Sequence, residues 1–109
     1  MKTIFIQPGE KAVIKDFKDF EEIRDTIGGY VESIRISPDV MVLCDEDGTL
    51  KYLPFSCTLF FHNMSIDLCG NVIIVGCNHG EFCDLSPTFI EKWEKSQDDM
   101  VGAMYRIDM

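Results

Sequence analysis

The chain has 109 residues, 46% of them hydrophobic, and 19 Asp and Glu against 10 Lys and Arg give a formal net charge of −9. This size and apolar content point to a single small globular domain over residues 1–109 that buries roughly two-thirds of its unfolded surface, and they exclude a disordered chain. The acidity argues against direct nucleic-acid binding and against anionic membrane surfaces, since both repel it; plain solubility and a surface for a basic protein partner remain open.

The start, Met1 to Pro8, holds only a short apolar run that stops at Pro8-Gly9. No signal peptide is expected, and no apolar stretch approaches the length of a membrane helix. A cytoplasmic setting follows. Thr3 to Ile6 reads as a first strand and Lys11 to Lys15 as a second. Asp16 is placed to cap a helix whose apolar face is Phe17, Phe20, Ile23 and Ile27, with Asp19, Glu21 and Glu22 in the half where the dipole favours negative charge. Gly28-Gly29 ends it.

The strand from Tyr30 to Ile36 sets Tyr30, Glu32, Ile34 and Ile36 on one face and Val31, Ser33 and Arg35 on the other. Ser37-Pro38-Asp39 turns into Val40–Cys44, and Asp45-Glu46-Asp47-Gly48 turns into Thr49–Leu53, which predicts an antiparallel meander. Pro54 stops the third strand. Phe55 to Asn63 is aromatic and apolar, and the pattern leaves a helical turn and a packed loop both open. Ile66–Leu68 and Asn71–Gly76 read as a strand or strand pair. Val72 to Val75 is apolar throughout, as a central strand covered on both faces would be. Ser86-Pro87 opens a second helix with core residues Phe89, Ile90 and Trp93, ended by the polar stretch Ser96–Asp99. The tail, Met100–Met109, either docks or serves as an interaction segment. The expected class is α+β: an antiparallel sheet of about four to six strands with two amphipathic helices, near residues 17–27 and 87–96, packed on it.

Several of these segments resemble a small family carried by phages, plasmids and Firmicutes and described as a domain of unknown function. Gly28-Gly29-Tyr30-Val31-Glu32-Ser33-Ile34-Arg35-Ile36 is similar to its Gly-Gly-Tyr-Ile-Glu-x-Val-Arg-Leu segment. Cys44-Asp45-Glu46-Asp47-Gly48 is similar to its Asn-Glu-Glu-Gly-Lys turn, with Asp45 in place of Asn and Thr49 in place of Lys. Leu53-Pro54-Phe55-Ser56 lacks the Asn of its Leu-x-x-Asn motif. Ile73-Ile74-Val75-Gly76 and Leu85-Ser86-Pro87-Thr88-Phe89-Ile90 match its end. The resemblance spans about residues 20–95. It implies a mobile-element origin and no particular activity.

Reactive constellations are weak. Cys44, Cys57, Cys69, Cys77 and Cys83 are odd in number and sit mostly in apolar runs, so they read as reduced, buried thiols. Cys69, Cys77, His79 and Cys83 are suitable zinc ligands by type, but their spacing is poor and no metal is expected. Cys77 and His79 lie two apart without an orienting motif, so the chain does not read as an enzyme. The Asp45–Gly48 turn lacks the spacing of a calcium loop. Gly28-Gly29 follows a helix instead of opening one, so no phosphate cradle is formed and no cofactor is expected. The pattern assigns His62 and His79 no role.

Two functional readings compete. The first is a non-enzymatic accessory protein that binds a host protein, as an acidic inhibitor of a defence or nucleic-acid enzyme. Its partner-binding residues are Glu21, Glu22 and Asp25 on a helical stripe and Asp45, Glu46 and Asp47 in the turn. The second is a small-ligand binder that sequesters a nucleotide signal, with Tyr30, Arg35 and the segment Phe55–His62 as its lining. A purely structural module is the remaining alternative.

Overall fold

The computed structural model describes residues 1–97 and 100–107. In chain order the elements are β1 (Lys2–Ile6), β2 (Val13–Asp16), α1 (Phe20–Ile27), β3 (Val31–Ser37), β4 (Val40–Asp45), β5 (Phe55–Phe61), β6 (Met64–Cys69), β7 (Val72–Asn78), β8 (Glu81–Cys83), α2 (Pro87–Ser96) and β9 (Met104–Arg106). This is an α+β fold. Its larger sheet has six strands in the order β2-β1-β7-β4-β3, with β8 added on β7, and every pairing is antiparallel. A second sheet, β6-β5-β9, was not expected from the sequence, and its β5–β9 pair is parallel.

The apolar run of β7 takes the central place its composition suggests. Val72 and Ile74 lie in one core cluster with Ile4, Ile6, Val42, Leu59, Leu85 and Trp93. Ile73 and Val75 lie in another with Phe5, Phe17, Ile23, Ile27, Met41 and Leu43. Adjacent residues of an extended strand point to opposite faces, so β7 feeds both clusters. The α1 residues Ile23 and Ile27 belong to the second cluster, and the α2 residues Phe89 and Trp93 to the first.

Three expectations are corrected. Thr49–Leu53 is not a strand, because its amides bond locally: Lys51 N–H to Asp47 O at 2.9 Å, Tyr52 N–H to Thr49 O at 3.1 Å and Leu53 N–H to Gly48 O at 3.0 Å. The first helix starts at Phe20. Asp19, not Asp16, is its cap, accepting the Glu22 amide proton at 2.9 Å, while Phe17 is buried edge-on against Phe5. Phe55–Asn63 is neither helix nor loop; it forms β5 and the turn into β6. The strand pair around Gly70 does form, but β6 and β7 join different sheets. Gly28, at φ +83°, supplies the left-handed C-cap of α1. Ser86 caps α2 through its hydroxyl, and Pro87 holds the first turn. Of the polar segment Ser96–Asp99, residues 98 and 99 lie outside the described residues, as do residues 108 and 109 of the tail. The described tail docks: Tyr105 and Ile107 are buried. Among the described residues, no helix is long and apolar enough to cross a membrane.

Candidate functional site

The carboxylates singled out above fall into different roles. On α1, Glu21 and Asp25 are exposed and Glu22 is half-buried, its amide held by the Asp19 cap. In the turn after β4, Glu46 is exposed and Asp47 half-buried. Asp45 differs from its neighbours, being only 6% exposed. Its Oδ1 accepts the Asp47 amide proton at 2.8 Å and its Oδ2 accepts from Lys51 Nζ at 2.9 Å. A side chain at Gly29 would run into this pair, so the chain leaving α1 passes directly over it. Asp45 therefore fastens the loop and does not present a carboxylate to a partner.

What this fastener displays is apolar. Leu50 is 79% exposed and Tyr52 is 92% exposed, the latter at φ +56°. Tyr30 is 78% exposed, and its carbonyl accepts the Glu46 amide proton at 2.8 Å, which joins the two loops. Isolated exposed hydrophobic side chains are ordinary, but here three large ones are carried on two loops that the Tyr30–Glu46 bond joins, and Glu46 and Asp47 belong to the same loop as Leu50 and Tyr52. Leu50 and Tyr52 escape sequence reasoning because a strand at Thr49–Leu53 would have buried one of its faces.

The hydrogen bond from Lys51 holds the Asp45 carboxyl below its ordinary value of 3.8, and the Asp47 amide adds to it. A carboxyl whose value is depressed by folding contributes stability that is complete above the unfolded value and is lost as pH falls through the folded one. The stability difference between the wild type and Asp45→Asn should therefore be largest near neutrality and shrink below about pH 4. Urea unfolding at a series of pH values checks this; a difference independent of pH contradicts it.

Tyr30 and Arg35 are not brought together. Five positions apart on an extended chain, they project to opposite sides. The Arg35 Nη1 donates to Ser37 O at 3.4 Å and Pro38 O at 3.2 Å, bracing its own turn. Cys44 and Cys57 are pushed up to about 12, first by burial, with the Glu32 carboxylate adding at Cys44. Such thiols are poor nucleophiles. Cys77 is buried on β7, whereas His79 sits exposed in the turn that follows, at φ +52°. Among the described residues, no group of three or more His, Cys, Asp or Glu is arranged to hold a metal ion.

A groove of about 870 Å³ lies at the far end of the β5–β6 hairpin, lined by Phe60, Phe61, His62, Asn63, Met64, Ser65, Arg106 and Ile107. His62 and Asn63 form the turn, at φ +48° and +60°. The His62 Nε2 lies 2.8 Å from the Ile36 carbonyl and donates to it. Ile36 sits where the β3–β4 register shifts, so its carbonyl is left for His62 to satisfy. This contact gives His62 a structural role that its sequence context does not signal.

Residues 1–98 match the family described as Domain of unknown function (DUF3846), and the chain belongs to that family. No curated protein and no solved structure matches it.

Proposed function

We propose that the chain is a non-enzymatic, phage-like accessory protein of mobile-element origin. It acts in the host cytoplasm by binding a basic face of a host protein, as an inhibitor of a defence or nucleic-acid enzyme. The observation that carries this reading is the exposure of Tyr30, Leu50 and Tyr52 on two joined loops, one of which also carries Glu46 and Asp47. Exposed tyrosines supply large contact areas at low entropic cost, and they dominate many interfaces. The surrounding carboxylates, with Glu21, Glu22 and Asp25 on α1, steer a basic partner onto that patch at long range. The ion pair between buried Asp45 and Lys51 supports the same reading, because a held loop loses little freedom on binding.

The two parts of the surface separate experimentally. Capture from host lysate identifies the partner, and purified components then give rates. The combined variant Glu21→Gln, Glu22→Gln, Asp25→Asn, Glu46→Gln and Asp47→Asn should slow association and weaken its salt dependence while leaving the fold intact. Tyr52→Ala should act on dissociation and cost about 2 kcal/mol of affinity. Capture and rates unchanged in both variants would refute the proposed surface.

A further inference from the structure

The three-stranded sheet presents one face to the core and leaves the other open. Leu59 and its pairing partner Tyr105 are buried, and Ile66, opposite Leu59 on β6, is half-buried. The next row has the opposite orientation. Arg106 on β9 pairs with Phe60 on β5, and Phe60 pairs with Ser65 on β6. Arg106, Phe60 and Ser65 therefore stand side by side on the outer face, with Arg106 and Ser65 exposed and Phe60 half-covered. This row forms part of the 870 Å³ groove, whose other lining includes His62 and Asn63.

Two features mark this groove out from the rest of the molecule. Acidic residues outnumber basic ones by 19 to 10, yet among the described residues the lining contains Arg106 and His62 and no carboxylate. Asp67, in the adjoining row of the same face, already accepts the Thr58 hydroxyl proton at 2.7 Å. In addition, the Arg106 guanidinium has no hydrogen-bond or ion-pair partner among the described residues, although its backbone is fixed. Gln97 Oε1 accepts the Arg106 amide proton at 2.8 Å, and Gln97 Nε2 donates to the Arg106 carbonyl at 2.6 Å. Arg106 thus stands on a fixed backbone opposite Phe60, with its guanidinium donors unpartnered among the described residues.

We propose that this groove binds a free nucleoside monophosphate. The phosphate would take the Arg106 fork, for which paired N–H donors suit a phosphate better than any other common group. The base would lie on the Phe60 ring, where stacking tolerates any base. Asn63 and Ser65 offer side-chain hydrogen bonds to the sugar or base edge. The groove volume falls within the usual range for small-molecule sites, roughly 300–1,000 Å³. A nucleic-acid strand is disfavoured as occupant by the net charge of −9, because successive phosphates extending beyond Arg106 would meet an acidic surface. The site shares no residue with the Tyr30–Leu50–Tyr52 surface, so either assignment stands or falls alone.

Isothermal titration of the full chain with AMP, UMP, adenosine, inorganic phosphate and an octathymidylate strand tests this. AMP and UMP should bind with submillimolar Kd, and adenosine and phosphate should each bind at least about tenfold more weakly. Arg106→Gln should weaken AMP binding about 10- to 100-fold, the loss expected for charge-assisted hydrogen bonds. Ser65→Glu, which places a carboxylate beside Phe60 at an exposed position, should do the same by repulsion. Thermal unfolding of both variants should match the wild type, since neither side chain is buried. Absence of mononucleotide binding at millimolar concentration, affinity unchanged in both variants, or tighter binding of the octathymidylate than of AMP would each overturn the assignment.

Discussion

Gly76→Ala is expected to cost about 3 kcal/mol or more, a large part of the roughly 5–15 kcal/mol that holds a domain together. Gly76 lies within β7, opposite Val40 on one side and Cys83 on the other. A Cβ there would overlap the Asp84 carbonyl oxygen and approach the Asp84 carbonyl carbon to 2.9 Å and the Cys83 carbonyl oxygen to 3.0 Å. These are backbone atoms, and the segment that carries them has no room to retreat. The Leu85 amide donates to Lys2 O at 2.9 Å, and the Lys2 amide donates to Asp84 Oδ1 at 2.7 Å, so the crossing chain is tied to β1. Relief of the overlap would break those bonds or distort the central strand. Gly28→Ala gives a useful contrast: nothing lies within 4 Å of its Cβ position, and only the left-handed φ of +83° is strained, for about 1 kcal/mol. Urea unfolding of the two variants measures the difference. A Gly76→Ala loss no greater than that of Gly28→Ala would show that the crossing can move after all.

The parts of the fold that local chemistry encodes were legible in the sequence. Ser86-Pro87 announces α2 because a cap and a first-turn proline act on adjacent atoms. The apolar run of β7 announces a strand covered on both sides. The second sheet was not legible, since it depends on a parallel pairing between Thr58–Phe60 and Met104–Arg106, segments far apart in the chain. Within β5 the exposed face carries Thr58 and Phe60, and a half-covered aromatic hides the alternation that would have identified a strand. Asp45, Glu46 and Asp47 look alike as a sequence; only the position of Lys51 turns the first into an anchor and leaves Glu46 at the surface. The Arg106–Phe60–Ser65 row was hidden for the same reason as the second sheet, because it exists only once the distant β9 is in register with the β5–β6 hairpin.

Trp93→Ala is expected to cost about 3–5 kcal/mol, and to act first on β9. The Trp93 ring stacks on Tyr105, with centroids 5.2 Å apart and planes at 19°. Tyr105 in turn accepts the Ala12 amide proton on its hydroxyl at 2.8 Å, and Gln97 bridges the Trp93 carbonyl to the Arg106 backbone. These contacts make the indole the main cover of a strand only three residues long. Such a strand cannot hold itself through its few ladder bonds, so most of its stability comes from this packing. Removal of the ring leaves a void beside Tyr105 that the short strand has little surface to fill. Hydrogen exchange should show this as an early loss of protection at the two amides that join β5 to the tail, Thr58 N–H to Ala103 O at 2.9 Å and Ile107 N–H to Phe60 O at 2.8 Å. The β4–β7 amides should keep theirs until global unfolding. Trp93→Phe, which retains an aromatic face for Tyr105, should lose less than half as much. If Trp93→Ala instead lowered protection evenly across both sheets, β9 would be an integral part of the core and not a strand held on by α2.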